Sequence, residues 1–93
     1  MKSIATYRVK MAPTCSKAEL KFREGSQIID IERDMGDVVF RVIEDPERLQ
    51  VTRTFHLWGV IPKDVSGYTW LKTFHRGYTP SIEYLFEVSS GRE

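Results

Sequence analysis

Cys15, His56 and His75 are the residues best suited to covalent or metal chemistry, and the acids Asp30, Glu32, Asp34 and Asp37 are best suited to proton transfer. A thiolate beside an imidazole makes a nucleophile pair, but the surroundings of Cys15, APTCSK, carry no signature of a cysteine enzyme. Zinc wants three or four ligands, and only scattered carboxylates accompany the two histidines. Paired acids can do glycosidase-like work. Here they crowd the ends of a hairpin beside Arg33 and Arg41, as Glu44, Asp45 and Glu47 crowd the next turn, and solvated strand edges account for both groups. Gly25, Gly36, Gly59, Gly67, Gly77 and Gly91 are isolated, so no glycine-rich phosphate cradle exists. The residues predict no catalytic site, no metal and no cofactor.

Such side chains need a scaffold, and 93 residues make one domain with a modest core. A hydrophobic share of 41% with 29% charged residues is that of an ordered chain. Fourteen basic residues nearly cancel 13 acidic ones, without blocks of like charge, so the field that a phosphate backbone requires is missing and nucleic acid is disfavoured. The apolar runs are too short to span a membrane, and the first residues, MKSIATYRVKM, lack the apolar centre of a signal peptide. A single cysteine allows no intrachain disulfide and fits a reducing, cytoplasmic setting.

Period and punctuation predict a succession of strands. Residues 4–11, IATYRVKM, alternate Ala5, Tyr7, Val9 and Met11 with Thr6, Arg8 and Lys10. AELKF, 18–22, is a weaker strand, and REGSQ, 23–27, is a turn around Gly25. IIDIER and VVFRVIED, 28–33 and 38–45, form a hairpin across DMGD. PERLQ, 46–50, suits one helical turn. VTRTFHLWGV, 51–60, is a strand and IPKDVSGY, 61–68, a loop. YTWLKTFH, 68–75, alternates Tyr68, Trp70, Lys72 and Phe74 with Thr69, Leu71, Thr73 and His75. After the turn RGYTPS, the strand 82–88 sets Ile82, Tyr84, Phe86 and Val88 against Glu83, Leu85 and Glu87, and residues 89–93 form a frayed tail. The prediction is all-β: a single small antiparallel β-sandwich or partly closed barrel of about six or seven strands, with its core over about residues 4–88.

One face stands out within TFHLWGVIP, residues 54–62. Phe55 and Leu57 point one way while His56 and Trp58 point the other. With Leu71, Val60 and His75 beside them, these residues mix large apolar groups with short polar ones, as the centre of an interface does. A second sheet lying over Trp58 is the competing reading. Trp58, Trp70, Tyr78 and Arg76 could also stack single-stranded bases, but packing is the commoner use of such residues.

Several motifs together resemble a family of small bacteriophage and prophage proteins of about this length, a domain of unknown function. They are TYRV, the turn in REGSQIIDI, MGDVVFRVIEDP, TRTFHLWG and the closing IEYLFEV. Arg23 stands where the family usually has proline, and Phe40 where tryptophan is common. The resemblance implies a phage product acting in the host bacterial cytoplasm, and it carries no catalytic residue. The expected function is a non-enzymatic accessory protein that binds a host or phage protein, or a copy of itself as a homo-oligomer, through His56, Trp58, Val60, Leu71 and His75. The alternatives are a small-molecule or nucleotide binder holding an anion with Arg53, Lys72 or Arg76, and a minor virion component.

Overall fold

Seven strands follow one another: β1 (Ser3–Lys10), β2 (Cys15–Arg23), β3 (Gln27–Asp34), β4 (Asp37–Glu44), β5 (Gln50–Trp58), β6 (Tyr68–His75) and β7 (Ile82–Val88). The computed structural model describes residues 1–13, 15–75 and 81–89. The expected turn over RGYTPS falls outside them except for Ser81, as does the tail beyond Ser89. β2 is longer than its composition suggests, because all nine of its residues pair with β5. PERLQ forms no helix. Asp45 instead organises a turn, accepting the Glu47 N–H on Oδ1 at 3.1 Å and the Arg48 N–H on its carbonyl at 3.0 Å.

The strands form two antiparallel sheets, in the orders β1-β4-β3 and β2-β5-β7-β6. No ladder joins the sheets among the described residues, so the fold is a sandwich and not a closed barrel. Period-two patterning explains the core between them. Tyr7 and Phe40 come from one sheet, and Phe22 and Phe55 from the other. Ring centroids lie 4.7 Å apart for Tyr7 and Phe22 and 4.8 Å for Phe40 and Phe55, in tilted contacts worth about 0.5–1.5 kcal/mol each beyond area burial. The Tyr7 hydroxyl donates to Glu44, and burial, together with that bond and the Glu44 charge, pushes the phenol up to about 12.

β7 turns its acidic stripe inward. Glu83 is 2% exposed and receives Arg33 from the opposite sheet, Nε on Oε1 at 2.9 Å and Nη2 on Oε2 at 3.2 Å. Glu87 receives Arg53 of β5, whose guanidinium lies 5.0 Å from the Phe22 ring centroid. Each inward carboxylate thus has an arginine, which lets the apolar stripe of β7 face away from the core.

The outer face of the three-stranded sheet carries a net of ion pairs around Val39, with Ile4 and Ile43 at one end. Arg8 reaches Asp34 at 3.0 Å and Asp37 at 2.8 Å, and Arg41 reaches Asp30 and Glu32 at 2.9 Å each. These acids are therefore solvated partners in surface pairs, which add little to stability. In the turn between β3 and β4 the left-handed residue is Met35, with φ 58°, and not Gly36. Bulges interrupt β3 between Ile28 and Asp30, and β6 between Trp70 and Lys72. Between the two bulged strands lies a hollow of about 230 Å³ lined by Ile28, Ile29, Asp30, Ile31, Leu71 and Lys72.

Candidate functional site

The outer face of the four-stranded sheet differs from that of its partner sheet. Across it, register aligns Lys17 with His56, His56 with Phe86, and Phe86 with Trp70. Side chains aligned across a sheet share a face, so these residues stand opposite the core side that carries Phe55, Leu57 and Leu85. The rings then close on one another. His56 stacks on Trp58 with centroids 5.2 Å apart, and Tyr68 meets Trp58 edge-on at 5.0 Å and His56 at 5.4 Å. Phe86 lies 5.1 Å from Trp58.

This packing answers the question raised by Trp58. Its 8% exposure comes from neighbours on its own face, since the second sheet lies on the other side. Trp58 is therefore the base of an aromatic cluster. The accessible group is Trp70, 58% exposed, whose indole Nε1 donates to Thr73 Oγ1 at 3.0 Å and so holds a fixed orientation. Val60 and Ile61, directly after β5, add further exposed apolar surface.

Leu71 does not belong to this face. It sits at the bulge of β6 and packs against the core between the sheets. An extra residue in one strand reverses the phase of alternation, so Tyr68 and Trp70 before the bulge share the outer face with Thr73 and His75 after it. A single unbroken alternation placed Trp70 inward and Leu71 outward, and the bulge reverses both. His75 is exposed at the far end of β6, aligned with Ile82. Trp70, Tyr68 and Phe86 were missing from the expected contact set. Their signal was the apolar stripe of β7 set against two glutamates, which reads as an inner face until Arg33 and Arg53 are found opposite the acids.

The groups considered for chemistry do not converge. Cys15 and His56 occupy diagonal positions across β2 and β5, and no hydrogen bond joins them among the described residues. The described residues contain no cluster of three or more His, Cys, Asp or Glu able to hold a metal. Of the cations considered for an anion site, Arg53 is engaged by Glu87 and Lys72 lies in the hollow beside β3. Arg76 and Tyr78 fall outside the described residues.

Burial, and then the charge of Lys17, lower the His56 pKa from its ordinary value of 6.5. A depressed folded value means that the unfolded chain takes up the proton first. The His56 contribution to stability is therefore complete above about pH 6.5 and is lost as pH falls through the folded value. NMR titration of the imidazole is expected to give a midpoint below 6.5, and the His56→Gln protein should lose this component of acid sensitivity. A midpoint at or above the ordinary value would contradict the packing of His56 within the cluster.

No family model, curated protein or solved structure matches the chain.

Proposed function

We propose that the protein is a non-enzymatic binding module that takes a protein partner on the outer face of its four-stranded sheet. The observation that carries this reading is the contrast between the two outer faces. One is crossed by ion pairs that water also solvates well, and its apolar groups are aliphatic, with Ile4, beside Ile43, exposed at one end. The other presents an aromatic cluster with the exposed, hydrogen-bonded indole of Trp70 at its edge, and charges such as Lys17, Glu19 and Lys21 lie to one side of it along β2. An aromatic centre with a polar margin is the composition of a protein interface, and a tryptophan of fixed orientation loses little entropy on binding. The resemblance of the turn and aromatic motifs to small phage proteins supports an accessory role in the bacterial cytoplasm, with a host or phage protein or a second copy as partner. The small-molecule reading is less well supported, because its cations do not meet at one place.

The test uses Trp70→Glu. The variant is expected to fold with a stability within about 0.5 kcal/mol of the parent, because the indole is mostly exposed. It should weaken any complex, recovered from bacterial lysate or formed by self-association in sedimentation, by about thirtyfold or more, as loss of an aromatic anchor does. Unchanged partners and unchanged sedimentation would sink the reading.

A further inference from the structure

The four-stranded sheet is split at one end. β5 pairs with β2 along its whole length, from Gln50 opposite Arg23 to Trp58 opposite Cys15. Its pairing with β7 is confined to Phe55–Trp58, opposite Glu87 to Tyr84. Beyond that point β7 stays with β6: Val88 aligns with Tyr68, and the Ser89 N–H donates to the Gly67 carbonyl at 2.7 Å. Residues 50–54 of β5 therefore have a partner strand on one side only, among the described residues.

The gap left by this divergence is a cleft of about 710 Å³. Val51, Thr52 and Arg53 form one wall, Glu87, Val88 and Ser89 the other, with Thr69 beside them and the turn at Glu24, Gly25 and Ser26 across the end. The Arg53–Glu87 ion pair sits where the strands part, and Arg53 Nη1 also donates to the Ser26 carbonyl at 3.2 Å. The base of the cleft is thus braced, with its charges already matched. Most of the remaining lining side chains are short, so backbone can approach backbone.

We propose that this cleft receives an extended peptide segment of a partner protein, which adds as a strand along residues 50–54 of β5. In an antiparallel ladder successive residues direct their N–H and C=O groups to alternate sides, so part of this stretch offers donors and acceptors to the cleft while the rest bonds β2. Only an extended chain carries matching groups at the same repeat, about 3.4 Å per residue. A compact anion would need an uncommitted cation, and Arg53, the one cation of the lining among the described residues, is held by Glu87, with Glu24 adding a further negative charge at the end. The cleft borders the Trp70 face at Thr69 and Val88, but no ring of the aromatic cluster lines it, and the inference stands independently of the binding proposed there.

Selection of a random library of acetylated, amidated hexapeptides against the full chain tests the idea, followed by amide NMR with the selected peptide. The expected result is slowed exchange, by about tenfold or more, at the amides within residues 50–54 that face the cleft. Of the two forms N-methylated at alternate residues, the one whose methyl groups stand on the amides facing β5 should fail to bind, while the other keeps that ladder and should bind. Trp70→Glu should bind the parent peptide as the unaltered chain does. Four results would overturn the proposal: no peptide enriched; protection centred on Trp70 and Phe86; equal binding of the two N-methylated forms; or binding seen only after residues 90–93 are removed. The last would assign the cleft to the chain's own continuation.

Discussion

Glu83→Gln is expected to lower the unfolding free energy by about 3–5 kcal/mol in urea denaturation, much of the roughly 5–15 kcal/mol that a domain of this kind has. Arg33 and Glu83 are, among the described residues, the ion pair that reaches between the sheets, with side chains 9% and 3% exposed, so water cannot take over for a missing carboxylate. Glutamine keeps the shape and leaves the guanidinium buried without a counter-charge. The pair is nonetheless imperfect, because Arg33 Nη1 is buried with no hydrogen-bond partner. Replacing both residues, as Arg33→Met with Glu83→Leu, should therefore recover most of the loss, since apolar side chains of similar volume often equal or exceed a buried ion pair. A Glu83→Gln cost below about 1 kcal/mol would mean that the pair is effectively solvated, as surface pairs are.

The second large effect separates the two tryptophans of the outer face. Trp58→Ala is expected to cost about 3–5 kcal/mol, since it removes the ring on which His56, Tyr68 and Phe86 pack. Trp70→Ala should stay within about 0.5 kcal/mol of the parent. The same denaturation experiment reads both. Equal losses would mean that Trp70 is held in the structure as firmly as Trp58, and the face would then lose its accessible anchor. A negative charge at position 58 tests folding, while one at position 70 tests binding.

The strands were legible because period two is a local property. IATYRVKM carries its burial pattern within itself, and the structure repeats it residue by residue through Ala5, Tyr7 and Val9, whereas in VVFRVIED the central strand also buries Val39 on the outer face. The hairpin over DMGD was also legible as a turn. The choice of Met35 over Gly36 as the left-handed residue was not, because turn geometry depends on how the two strands twist into it. The candidate site was read in half. His56 and Trp58 were placed on the correct face because β5 runs without interruption. Leu71 was not, because a bulge leaves no mark in composition and sets the residues before it, Tyr68 and Trp70, on the same face as Thr73 and His75 after it. The inward direction of Glu83 and Glu87 was equally hidden, since it depends on arginines far along the chain.

Strand order also bears on how the chain is made. Of the strand pairings, only β3 with β4 and β6 with β7 join neighbours in sequence. β1 must wait for β4, and β2 for β5, before either has a ladder to join. A chain leaving the ribosome therefore carries Tyr7 and Phe22 exposed until the middle third of the protein has emerged. Pairings of this kind close large loops before any contact rewards them, so refolding should take milliseconds to seconds, as in other β-sandwiches, and not microseconds. During that interval the first two strands are the part of the molecule that a chaperone would hold.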